Sequence, residues 1–544
     1  MTSHATAPDF PVVWSDPADA ELTWFRDAMH FPAPMTALTT SFLKECLEPG
    51  VAAACATLIS PLLTLRHAAF GGWAYNSPVL AVPPEQIPRR MEQHMPVMGD
   101  HMDNLRRRWD TEYLPAVLSL TDEIDTLDFG GDPAAARSAF ARLVAINTDI
   151  WRMHFLVVFP KLAAGERFSA IYTQVTPGAD EMEPYRCMQG EPNKSLEADH
   201  ALWNLALEAK ASPPVAEALV TGTPAAALDA LDRIPEGRAW RARFEAFLAE
   251  YGHRAQALEL ASPTWVEEPS FAVENLRRYL AADAADPEGQ RERLAAEAQA
   301  LVDAARGRIT DPGLLAAFDH AYEAAYAAWP LEEDHAFYID QRSLAGATRR
   351  AFLRIATILA GNGHIADPAD VWYLDFDEVR SGLAGEDLRE RAVQARKQHA
   401  ANSLLDAPPF LGIPPDPNAP VDPGLVKFFG KPGPPEVDDR VLRGSAGSRG
   451  RVEGVARVVR SVDDLHFVQP GEILVCRSTT PPWTPVFASI AALVTDTGGV
   501  LAHGAIVARE YAIPAVMGTK IATRIIQDGQ RITVDGDAGE VFIA

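Results

Sequence analysis

One histidine, His503, stands where this chain could do covalent chemistry. It follows Thr495-Asp496-Thr497, the glycine pair Gly498-Gly499 and Val500-Leu501-Ala502, and it precedes a run that ends in Arg509-Glu510. The apolar residues leading to Thr495 predict a strand, the glycines a sharp turn, and the residues from His503 through Glu510 a helix. That order puts the imidazole at a helix N-terminus, where unpaired backbone N–H groups and the positive end of the helix dipole favour an anion. An imidazole nitrogen carrying a lone pair is a nucleophile, so a phosphoryl group is the anion this chemistry suits. Thr497, Gly498, Gly499 and Arg509 are the expected phosphate loop. A glycine-rich turn with a capping histidine has the same spacing, and the residues alone leave both open.

The elements that must position His503 follow from the periodicity. From about residue 35 to 405 apolar residues recur at three- and four-residue steps, as in the runs beginning at Pro133 and Pro287, each entered through Asp-Pro. Between Ala407 and Val437 prolines become dense, which argues against helix and predicts a semi-rigid extended linker. Short β runs bounded by glycines then follow, with a helix between the third and fourth. Three segments are expected: a helical domain over 1–405, in two sub-domains if the chain so divides, a Pro-rich linker over 406–440, and an α/β domain over 441–544. Val51 to Leu65, the most apolar stretch, is too short to cross a bilayer and is read as a buried helix.

Composition narrows the partners. Hydrophobic residues at 47% and charged residues at 23% are globular values, and a net charge of −25 repels phosphate backbones and anionic lipid. Neither nucleic acid nor a membrane is therefore an expected partner. Cys46, Cys55, Cys187 and Cys476 have no metal-ligand or disulfide-like spacing, and the first residues lack a signal-peptide pattern, so a reducing, cytoplasmic location is expected.

The string from Thr495 to Gly518 resembles the phosphohistidine swivelling domain of the phosphoenolpyruvate-utilising family, which includes phosphoenolpyruvate synthase, pyruvate phosphate dikinase and rifampicin phosphotransferase. The resemblance implies that His503 is phosphorylated and carries the group between two active sites. Gly504 departs from the alanine usual in that family and is expected to loosen the first helical turn. Tyr251 to Pro269, Glu332 to Ser343 and Asp367 to Val379 resemble the helical acceptor-binding part of rifampicin phosphotransferase. The implied fold class is multidomain: a large, mostly α-helical acceptor-binding domain followed by a small α/β phosphohistidine swivelling domain.

No ATP-grasp domain, P-loop or phosphoenolpyruvate-binding barrel is evident in the chain. The expectation is a split enzyme in which a separate ATP-grasp subunit, holding ATP and Mg2+, loads His503. This arrangement resembles the phenylphosphate and 4-methylphenyl phosphate synthases, so the implied acceptor is a small aromatic hydroxyl. The alternatives are an antibiotic or other natural-product hydroxyl, and a non-catalytic phosphocarrier or regulatory subunit. The resemblance makes His253 and Arg254 candidates for base and phosphate clamp, with Glu259 following them, and His335, Tyr338 and Asp340 a second substrate-binding cluster. Trp151, His154 and Phe155, and the Met- and His-rich Met91 to Met102, read as core or as pocket lining. Asp375, Asp377 and Glu378 read as an acidic turn. No metal site and no permanently bound cofactor are expected in this chain.

Overall fold

The computed structural model describes residues 10–543 except 256, 282–286, 416–422, 432–434, 439, 461 and 481–482. Parts of the Pro-rich segment, and Pro481-Pro482 of the loop before the third β run, therefore lie outside the described residues. The chain forms two compact units. One holds Met1–Lys161, Ala257–Ser262 and His335–Ala419; the other holds Leu162–Gln256, Pro263–Asp334 and Pro420–Ala544.

The first unit is mainly helical, but it also holds a four-stranded antiparallel sheet that the helical periodicity does not announce. Its order is Leu62–Phe70, Trp73–Leu80, Thr23–Arg26, Phe410–Gly412. Val51 to Leu65 is accordingly not one buried helix. The helix Glu48–Thr57 ends before Pro61, and Leu62 opens a strand. Proline lacks the N–H that a continuing helix needs. Phe10, Trp24, Phe70, Trp73, Tyr75 and Leu411 form an aromatic core on this sheet.

The Pro-rich segment also departs from a uniformly extended linker. Phe410–Gly412 pairs antiparallel with Thr23–Arg26, and Pro423–Phe429 is a helix. Proline is tolerated at a first helical position, where the missing N–H has no helical partner to lose, and Gly-Leu-Val-Lys-Phe-Phe behind it contains no further proline.

In the second unit, helices between Leu162 and Asp334 accompany a nine-stranded mixed sheet. Its order is Glu436–Asp438, Val441–Arg443, Glu540–Ile543, Arg531–Asp535, Arg451–Val459, Ile473–Cys476, Ala492–Thr495, Ala515–Met517, Ser445–Ser448. Arg451–Val459, Ile473–Cys476, Ala492–Thr495 and Ala515–Met517 run parallel, as the glycine-bounded β runs require if helices and turns connect them. Ile473, Val475, Ala492, Val494 and Val516 are fully buried, which is why these strands read as continuous apolar runs. The large helical region and the C-terminal α/β domain match the expected fold class. No helix among the described residues is long and apolar enough to cross a membrane.

Candidate functional site

His503 opens the helix His503–Glu510 directly after the parallel strand Ala492–Thr495 and its glycine turn. Ala502 is the N-cap and supplies no side-chain hydrogen bond; its carbonyl accepts from the N–H groups of Ala505 and Ile506. Alanine there forgoes about 1 kcal/mol that a serine or aspartate cap would provide. The first N–H groups of this helix therefore have no side-chain acceptor from the cap residue, and such groups favour an anion.

The turn is gripped from outside. Gly499 N–H donates to Phe428 O and Leu501 N–H to Lys427 O, both in the helix Pro423–Phe429. A Cβ on Gly499 would lie 2.2 Å from Lys427 O, so only glycine permits this approach. Lys427 Nζ is in turn held 2.9 Å from both carboxylate oxygens of Glu166 and from the Tyr185 hydroxyl. Val500 and Leu501 are buried with Phe168, Tyr172, Tyr185 and Phe318 of the helical part of the same unit. Arg509 is buried and donates to Val500 O and Gly447 O, bracing the turn, while its Nε and Nη2 make no hydrogen bond. Thr497 donates to Arg477 O, and Gly498 takes a positive φ of 89°.

Glu333, which sequence reasoning passed over, sets the chemistry of the imidazole. Its Oε1 lies 3.1 Å from His503 Nδ1, and both side chains are largely buried. Its Oε2 accepts from the Ser195 hydroxyl, in the helix Lys194–Lys210. Burial by itself raises the Glu333 carboxyl, but His503, Ser195 and Arg254 hold it down at about 2. An ionised carboxylate can only accept, so Nδ1 is the donor of the pair, and in the neutral tautomer that this contact selects the lone pair lies on Nε2. Nε2 is buried and has no hydrogen-bond partner among the described residues. The signal for Glu333 was present in Glu332-Glu333-Asp334-His335, a run already singled out for its histidine.

Arg254 stands close enough to Glu333 and Asp199 to feel both charges, with its guanidinium 5.5 Å from the Trp265 ring centroid. It is 1% exposed, and its Nε and Nη2 make no hydrogen bond. Burial lowers its pKa to about 10 against the opposing pull of Asp199, Glu333 and Tyr251. Asp199 accepts from the Tyr279 hydroxyl, yet burial pushes its pKa up to about 7, outweighing Tyr279 and Arg254. His253 is half-buried beside Arg254.

That balance gives stability a pH slope. A raised folded-state carboxyl favours the protonated native state, so its contribution is full below the unfolded value near 4 and is lost as pH rises towards 7. Glu510, pushed to about 7 by burial against the pull of Arg509, acts in the same window. Asp199→Asn is expected to remove up to about 1.4 kcal/mol per pH unit from the fall in stability between pH 4.5 and 7, measured by denaturant titration. The Glu333 carboxyl titrates below this window and leaves it undisturbed.

Other expected residues have structural placements. Glu259 does not join Arg254. It lies in the first unit and accepts from Thr36 N–H and from the Thr36 and Thr39 hydroxyls at the start of the helix Ala37–Phe42. Asp375 and Glu378 form a reciprocal capping box on the helix Phe376–Leu383, and Asp377 pairs with Arg380. His94 and His101 are buried on the helix Ile87–Asp103, whereas Met95 is exposed. His335, Tyr338 and Asp340 belong to the first unit, whereas His503 and Arg254 belong to the second. At Gly504 the issue is space: a Cβ would lie 2.5 Å from Thr479 Oγ1, so glycine lets that hydroxyl lie over the first helical turn.

Two regions of the chain match known protein families. Residues 168–328 match the family described as rifampicin phosphotransferase fourth domain, and residues 468–539 match PEP-utilising enzyme, mobile domain. The chain is 32% identical to chondramide synthase cmdD of Chondromyces crocatus, covering 99% of this chain and 14% of that protein. It is 30% identical to the uncharacterized phosphotransferase YvkC of Bacillus subtilis, covering 96% of this chain and 62% of that one. A Streptomyces rifampicin phosphotransferase is 35% identical over 58% of this chain and 36% of its own length. The chain thus spans less than two thirds of each of these relatives. It carries a PEP-utilising mobile domain and a helical region of the rifampicin phosphotransferase type, and it is a homologue of the rifampicin phosphotransferases.

Proposed function

We propose that this chain is a phosphotransferase subunit that holds a phosphoryl group on His503 Nε2 and passes it to the hydroxyl of a small organic molecule. The observation that carries this reading is the buried, unpartnered Nε2 of a histidine whose Nδ1 is held by Glu333 at an uncapped helix N-terminus. In loading, Nε2 takes the β-phosphoryl group of ATP: its bond to the α-phosphate breaks with AMP leaving, and its bond to the γ-phosphoryl is hydrolysed to release inorganic phosphate. In transfer, the acceptor oxygen displaces Nε2 in line and the hydroxyl proton leaves to a base. Such reactions depend on positioning and on neutralising the phosphoryl oxygens. Arg254 is suited to the second task, because its guanidinium is buried close to Glu333 with Nε and Nη2 making no hydrogen bond among the described residues. His253 is the candidate base.

The donor in this proposal is ATP with Mg2+, bound by a separate ATP-grasp subunit. A reducing, cytoplasmic setting fits four buried, unpaired cysteines. Two acceptor classes are in play. A phenol or cresol follows from the split-synthase resemblance, and a natural-product hydroxyl is favoured by a relative named for rifampicin. The test is to purify the chain with whatever nucleotide-binding protein accompanies it, add ATP labelled in its β-phosphoryl group, and quench in base. An acid-labile, base-stable label on His503, chased by one acceptor from a panel of phenols and rifamycin-like macrocycles, is the expected result. Absence of label on His503, with product still formed, overturns the reading; label that no acceptor removes identifies a phosphocarrier instead.

A further inference from the structure

A second polar cluster lies within the first unit, and the phosphoryl chemistry above makes no use of it. His154 is on the helix Pro133–Val175, and His335 caps a 13-residue π-helical stretch, Ala336–Thr348, that contains Asp340. One ligand atom from each of these three side chains lies within 4.8 Å of the others. His335 is 3% exposed, and the side chains of His154 and Asp340 are mostly buried.

His154 Nδ1 stands 3.0 Å from Asp340 Oδ1, yet neither atom makes a hydrogen bond, so the two face each other off-axis. Two donor atoms held side by side at this separation match the edge of a coordination polyhedron, which is about 3.0 Å for metal bonds of about 2.1 Å at right angles. The His154 and His335 rings meet edge to face, with centroids 4.9 Å apart and planes at 65°. The winding matters as well. Residues five apart do not share a face of an α-helix, but the i to i+5 repeat of a π-helix stacks them, bringing His335 and Asp340 to the same side.

We propose that His154, His335 and Asp340 bind one first-row divalent cation of the zinc class, with the remaining coordination positions open to water or another oxygen ligand. Two imidazoles and one carboxylate are borderline donors that suit zinc, cobalt, manganese or iron(II) better than magnesium or calcium. The site is distinct from the acidic turn at Asp375 to Glu378, whose carboxylates are occupied in capping and ion pairs.

The test uses the full, untagged chain, stripped with chelator and titrated with Co2+ followed by Zn2+. One Co2+ per chain, with visible d–d bands that one equivalent of Zn2+ abolishes, is expected. His154→Gln and Asp340→Asn, on separate helical elements, should each weaken Co2+ binding at least tenfold while the metal-free thermal unfolding stays close to wild type. If one variant does not fold, the other decides. Failure of the wild-type chain to bind one equivalent, or binding that a folded variant leaves unchanged, overturns the proposal.

Discussion

His503→Ala is expected to lower product formation by at least about 10⁴-fold and to abolish the acid-labile label altogether, because the substitution removes the only atom to which the phosphoryl group would be bonded. Fold loss does not account for such a result. Among the described residues the His503 side chain makes one hydrogen bond, to Glu333, whereas the turn around it is held by Lys427 O, Phe428 O and Arg509. His503→Gln keeps most of the volume and supplies no nucleophile, so it should behave like the alanine variant in labelling while matching wild type in thermal unfolding. The measurement is base-quenched mass spectrometry of the His503 peptide together with single-turnover product formation. Full activity in either variant would remove His503 from the mechanism.

The second large effect is expected at Glu333, with a different signature. Glu333→Gln replaces a permanent acceptor with an amide that can turn either its oxygen or its NH2 towards Nδ1, so the tautomer is no longer fixed. Loss of such a partner costs on the order of 10²- to 10⁴-fold where a histidine acts in covalent catalysis. Glu333 is a positioning residue supplied by the helix Leu331–His335, not by the α/β domain that carries His503. If loading takes place with the α/β domain away from this helix, as the proposed carrier role implies, transfer to the acceptor should fall by at least about 10²-fold, while the amount of phosphohistidine formed from the donor changes little. Glu333→Asp retains the charge and should recover part of the transfer rate. Because the wild-type carboxyl is held at about 2, its protonation is not expected to shape the transfer rate between pH 5 and 8. Equal loss of loading and transfer in Glu333→Gln would show that the carboxylate serves a general structural role.

The turn and helix around His503 were legible in the sequence because glycines and a strand-to-helix change are local signals. The strands from Arg451 to Ile543 were legible for the same reason, being short apolar runs between glycines. The N-terminal sheet was not, since Phe410–Gly412 joins Thr23–Arg26 across almost four hundred residues and leaves no mark on nearby periodicity. Glu333 illustrates the limit at the site itself: its partner is 170 positions away, and one glutamate in a run of acidic residues looks like a solvated surface until the fold buries it. Glu259 failed in the opposite sense. Its closeness in sequence to Arg254 suggested a shared task, but its carboxylate is consumed in capping the helix at Ala37. The π-helical winding after His335 cannot be read from apolar spacing, and it decides which of His335, Tyr338 and Asp340 face together.

The seating of Val500 and Leu501 among Phe168, Tyr172 and Tyr185 has a kinetic meaning. In the proposed cycle, a phosphohistidine in this arrangement would be shielded from bulk water by the same apolar contacts that would have to separate before a carrier could travel. Leakage of phosphoryl groups to hydrolysis would then be confined to the interval of transit. On that proposal the grip on those two side chains would set a compromise between thrift and throughput: tighter seating would waste less of the donor, and looser seating would turn over faster.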